Sequence, residues 1–164
     1  GGVVNLHKKT GGTLMHQLFK DYSDCLEKLY DDFKKTIDGL PQEALDWIPG
    51  AEMNSLCVIL VHTTGSTRYW MGDIVANDDS NRDRDAEFRT EGVSVAELKR
   101  RLDNGLAYVK GVLEGLTLED LETVCLLPKD GREVTKGWAI CHVLEHVANH
   151  LGHAHITRQL WEQR

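Results

Sequence analysis

The chain has 164 residues, 41% hydrophobic and 27% charged, the ordinary make-up of a globular protein and enough length for one domain with a proper core. Its net charge of −7 opposes a role in tracking nucleic-acid phosphates, no run of about 18 apolar residues could span a membrane, and the N-terminus lacks the apolar stretch of a signal peptide. Cys25, Cys57, Cys125 and Cys141 are scattered with no C-x-x-C spacing, which argues for reduced thiols in a cytoplasm, each expected to be a small buried apolar residue.

The elements follow from apolar spacing. A first helix is expected over about Thr13–Ile37, where Leu14, Leu18, Tyr22, Cys25, Leu26, Leu29, Phe33 and Ile37 recur at three and four residues and Gly39 follows as a stop signal. Residues 1–12 are expected to be flexible. Leu40–Met53 holds Pro41, Pro49 and Gly50 and reads as a packed connection anchored by Trp47 and Ile48. A second helix should start after Asn54, an N-cap residue, and run to about Ala76. Residues 77–85 form a charged polar loop. Ser94-Val-Ala-Glu97 is a capping-box pattern opening a third helix to about Leu116, with Leu98, Leu102, Leu106, Val109, Val112 and Leu113 inward. Thr117-Leu-Glu-Asp suggests a helical turn. Val124–Leu127 and Arg132–Val134 flank Pro-Lys-Asp-Gly and suggest a small hairpin. A fourth helix should span about Thr135–Trp161. The expected fold is all-α: a single-domain four-helix bundle with long connections and a possible hairpin before the last helix.

That last helix carries His142, His146, His150, His153 and His155. Each helical residue advances about 100°, so with His142 at zero, His153 falls at about 20°, His146 at about 40° and His150 at about 80°, while His155 points away. Four imidazoles thus share a stripe, and neighbours at i, i+4 can reach one cation. Ile140, Leu144, Val147, Leu151 and Ala154 cluster at about 160°, with Val143 and Trp161 at about 100°. This apolar arc is wider than one core face requires, which fits burial against a second subunit, a homodimer, or against a neighbouring loop. A single straight helix cannot wrap a tetrahedral ion, so further ligands must come from elsewhere. His62, inside the second helix, is the obvious supplier. Taken alone it reads more simply as a core-edge histidine bonded to a hydroxyl. Asp73 lies about 16 Å along that helix and should not join the same ion.

His62 with Tyr69-Trp70 downstream, then His142-x3-His146-x3-His150 followed by Gly152, resembles the DinB/YfiT-like superfamily of metal-dependent enzymes. Gly39-Leu-Pro-Gln-Glu-Ala-Leu-Asp-Trp47-Ile-Pro49 is similar to that family's link into its second helix. The resemblance covers nearly the whole chain and rests on the order and spacing of these features rather than on any one of them. It implies a four-helix bundle with a divalent ion held by one histidine of the second helix and two of the fourth, here His62, His146 and His150. The chain departs from the pattern at Leu151-Gly152-His153, where many relatives resemble His-Arg-Gly-Gln, and so carries an extra imidazole; His142 is another.

Three neutral histidines leave an open coordination position, the pattern of catalytic more than structural sites. Relatives include thiol-dependent S-transferases and isomerases, and some are regarded as hydrolases. The resemblance therefore implies a metal-dependent enzyme acting on a small molecule, with zinc and nickel the leading metals and a low-molecular-weight thiol as a further cofactor. The competing expectation is a non-catalytic metal-binding stress-response dimer, with a closed site and no substrate-sized cleft. No substrate-specific basic pocket stands out in the sequence. Arg68 and Tyr69 are candidates for the opening, or else an ion pair and a core aromatic.

Overall fold

The computed structural model describes residues 14–164; the expected flexibility of residues 1–12 and the predicted helix start at Thr13 lie outside them. Four long helical segments form the bundle: α1 (Gln17–Ile37); α3 (Leu56–Arg68), which runs on as a π-helical segment (Tyr69–Ala76); α5 (Val95–Glu114); and α6 (Lys136–Glu162). Two short helices, α2 (Gln42–Asp46) and α4 (Arg84–Glu87), lie in the connections around α3. A 3₁₀ turn (Glu119–Glu122) and the strands β1 (Val124–Leu126) and β2 (Glu133–Thr135) fill the link into α6. α1 and α3 each pack against both α5 and α6, so α1 and α3 stand on one diagonal of the bundle.

Local chemistry sets the helix starts. The His16 ring accepts the Leu18 backbone N–H at 3.1 Å and caps α1, four residues later than the apolar pattern implied. Ser55, not Asn54, caps α3, its Oγ accepting from Val58 N at 3.1 Å. Ser94 Oγ accepts from Glu97 N at 3.2 Å as the capping pattern predicts, but the Glu97 carboxylate turns to Arg100 and Arg101 instead of back to the cap. Thr135 caps α6 through Trp138 N at 3.0 Å.

The core is built from these faces. α5 buries Leu98, Leu102, Leu106, Val109 and Leu113, as its spacing requires. On α1 the buried stripe is Phe19, Tyr22, Leu26, Tyr30, Phe33 and Ile37. Leu14, Leu18 and Cys25 are exposed instead: Leu14 precedes the helix, and Leu18 and Cys25 lie about 80–100° around it from Leu26, off the buried stripe. The expectation of four buried cysteines also needs correcting: Cys57 is buried and Cys125 half-buried, but Cys25 and Cys141 sit on outer helix faces. Ile48 is exposed as well, whereas Trp47 docks edge-on against Trp161 with ring centroids 5.7 Å apart. On α6, Ile140, Val143, Val147, Leu151 and Ala154 are all buried within the chain. The wide arc is thus covered largely by the chain's own elements, Trp161 by the Trp47 connection.

The hairpin before α6 forms as expected, antiparallel with Cys125 opposite Val134. Gly131 adopts φ 69°, the left-handed conformation that glycine takes at little cost, and lets the chain turn back at the tip. Among the described residues no helix is long and apolar enough to cross a membrane.

Candidate metal centre

The diagonal arrangement leaves α3 and α6 side by side, and three histidines meet at their contact. His62 comes from α3; His146 and His150, one turn apart, come from α6. One ring nitrogen from each lies within 4.8 Å of the other two. The His62 and His146 Nε2 atoms face each other at 3.1 Å, and His146 and His150 ring centroids are 4.4 Å apart. Two imidazole nitrogens bound about 2.0–2.1 Å from one tetrahedral ion would stand about 3.3–3.4 Å apart, so the facing pair already has nearly the spacing of co-ligands. His150 Nδ1 is buried with no hydrogen-bond partner among the described residues. With an orphaned polar atom on its third imidazole, this cluster is a donor set that a borderline divalent cation fits.

Burial, reinforced by the neighbouring imidazoles, depresses the His146 pKa to about 3 and the His150 pKa to about 4. Both rings are therefore neutral at physiological pH, with the lone pairs that a metal requires.

His62 is oriented by a carboxylate, not by the hydroxyl that its helix neighbours suggested. Its Nδ1 lies 2.9 Å from Glu87 Oε2, and both side chains are buried. Nδ1 donating to this carboxylate leaves the Nε2 lone pair aimed at His146. Arg82 grips the same carboxylate twice, Nε to Oε1 at 2.6 Å and Nη2 to Oε2 at 2.8 Å. Burial alone would raise the Glu87 carboxyl; Arg82 and His62 together outweigh it and hold the group below the usual carboxylate range. Gly65, one turn beyond His62, makes room for this arrangement, because a Cβ there would collide with Glu87 Oε1.

The sequence reading missed Arg82 and Glu87. Residues 77–85 read as a charged polar loop, yet Asp83 caps α4 by accepting from Ala86 N at 2.9 Å and folds Glu87 back onto α3. Asp83 as an N-cap, with Asp85 in the first turn, was the available signal.

The other histidines separate by position. His142 lies face to face with Trp138, ring planes 9° apart, and edge-on to Trp70; it lines the neighbouring cavity but stands outside the triad. His153 and His155 are exposed. Asp73 accepts from the Ser80 backbone N–H and hydroxyl, away from the triad. Arg68 pairs with Asp78 at 2.6 Å and lies over Tyr108, so it is an ion-pair residue. Tyr69 does reach the opening.

That opening is a cavity of about 410 Å³ beside His62 and His146. The π-helical segment supplies Tyr69 and Trp70 to one wall, a location typical of π-turns, which recur at functional sites. The hairpin and the 77–85 segment supply basic side chains to the mouth.

The DinB superfamily model matches residues 26–154, and the chain belongs to that family. It also resembles the crystal structure of a conserved protein from Enterococcus faecalis, with a TM-score of 0.77 and 15% identity over 90% of this chain and 98% of that one. This likeness is one of fold. No curated protein matches the sequence.

Proposed function

We propose that this DinB-superfamily protein is a divalent-metal-dependent enzyme in which His62, His146 and His150 hold the ion, with zinc and nickel the leading candidates. The observation that carries the reading is the three-histidine cluster, two of whose members, His62 and His146, line a cavity of about 410 Å³, within the size range of small-molecule sites. A divalent ion there would act as a Lewis acid on a substrate atom and lower the pKa of a bound water or thiol. The chain's own contribution is positional. Glu87 fixes the His62 tautomer, Arg82 holds Glu87, and Tyr69 and Trp70 shape the space beside the triad. Thiol S-transfer, with a low-molecular-weight thiol as cosubstrate, and hydrolysis of a small molecule are the two chemistries this arrangement suits. The cavity favours either over a non-catalytic metal-binding dimer, which calls for a closed site.

The test is a panel of electrophiles with and without low-molecular-weight thiols, beside ester and amide substrates, using zinc- and nickel-loaded protein and its His62→Ala variant. Turnover that needs the metal and is lost in the variant supports the proposal, and the thiol requirement separates transferase from hydrolase. Turnover unchanged by chelation and by His62→Ala would overturn it.

A further inference from the structure

The mouth of the cavity has a charge opposite to that of the chain. In a protein of net charge −7, Arg82, Arg84, Lys129 and Arg132 all line the cavity beside His62 and His146, with Asp130 the only carboxylate in its lining. Their engagements differ. Arg82 is neutralised by the buried Glu87 carboxylate. Lys129 and Arg84 make no salt bridge among the described residues. Arg132 has only Asp130, at 3.9 Å, and both side chains are more than half exposed, so the pair binds weakly. Asp83 and Asp85 flank Arg84 in sequence but are absent from the cavity lining, and Asp83 is committed to capping α4.

The Arg132 and Arg84 guanidinium groups are also pre-positioned. Arg132 lies 5.0 Å from the Trp138 ring centroid and Arg84 4.8 Å from that of Phe88. Such stacking restrains the side chain while leaving its in-plane N–H groups for a carboxylate or phosphate. A fixed cationic rim around a cleft concentrates anions despite the negative charge of the whole molecule. Tyr69 and Trp70 add aromatic surface to the same cavity, which suits an apolar body.

We propose that the cavity takes a small organic anion, its carboxylate or phosphate held at the mouth by Lys129, Arg132 and Arg84 and its apolar body against Tyr69 and Trp70. The inference rests on the proposed metal reading only in placing the reacting end of that molecule at the histidine triad. It names the substrate class that this reading leaves open.

Calorimetric titration with benzoate, phenylphosphonate and neutral benzamide tests it, on metal-free and zinc-loaded protein, with zinc affinity measured separately. At least one of the two anions should bind tenfold or more tighter than benzamide, and the better one distinguishes carboxylate from phosphate. In Lys129→Ala/Arg132→Ala, whose altered side chains are exposed, that preference should fall about tenfold; Arg84→Ala provides an independent variant. Benzamide binding as tightly as both anions would overturn the proposal. So would an anion preference untouched in both variants; seen only with zinc loaded, it would mean that the anion sits on the metal alone. Failure to bind zinc with the anion preference intact would remove the metal reading and leave this one standing.

Discussion

Glu87 lies 2.9 Å from His62 Nδ1 across 25 residues of sequence, and this bond aims the opposite nitrogen of His62 at His146. It follows that Glu87 matters to any ion held by the triad without touching it. Removing a carboxylate behind a ligating histidine typically costs 10–100-fold in metal affinity. Glu87→Ala should weaken zinc binding by about that factor in competition with a chromophoric chelator. Unchanged affinity would mean that the carboxylate serves only to neutralise Arg82.

Gly65→Ala offers a sharper version of the same test. In an ordinary helix interior this change stabilises by up to about 1 kcal/mol. Here the new Cβ meets Glu87 Oε1, whose carboxylate Arg82 and His62 hold in place. We expect a loss of about 1–3 kcal/mol, as for other overpacked sites, together with weakened zinc binding. Chemical denaturation and zinc titration check both; a variant more stable than wild type would show that Glu87 moves freely.

Much of this architecture was legible in the residues, and the exceptions have physical causes. α5 and α6 were readable because their apolar positions keep helical spacing throughout and Ser94 and Thr135 mark their starts. Helical spacing put four α6 histidines on one stripe and called for a ligand from another helix, but it was the family resemblance that singled out His62, His146 and His150, which the structure brings together. The first turn of α1 was misplaced because Leu14 and Leu18 continue the periodicity although both are exposed. Tyr69–Ala76 reads as a continuation of an α-helix, since its sequence gives no mark of the widened turn. Arg82, Glu87 and the basic mouth stayed hidden because they join segments far apart in sequence, and an isolated charge in a loop looks like a solvated one.

Tyr30 gives a prediction about pH that is independent of any metal. Its ring is fully buried on α1, and its hydroxyl has no hydrogen-bond partner among the described residues; Thr67, the candidate, donates instead to the Thr63 carbonyl at 3.0 Å. Burial pushes the phenol up to about 12 from an ordinary value of 10.0. The folded state therefore keeps a proton that the unfolded chain loses, and stability falls as pH rises from about 10 toward 12, by on the order of 2–3 kcal/mol for this group. Tyr30→Phe should abolish that portion of the alkaline loss. At neutral pH it should be neutral or stabilising by about 1 kcal/mol, since it removes an unpaired buried hydroxyl. Melting temperatures of both proteins between pH 8 and 12 decide it; parallel curves would contradict the prediction.

Metal content tests the central claim most directly. The protein should be purified without a nickel column and analysed by elemental mass spectrometry beside His62→Ala, His146→Ala and His150→Ala, with His153→Ala as a control outside the triad. The account predicts about one divalent ion per wild-type chain and per His153→Ala chain, and a large loss in each of the other three variants. A wild-type protein that is metal-free and binds no added zinc or nickel, or full occupancy in all three triad variants, would contradict it.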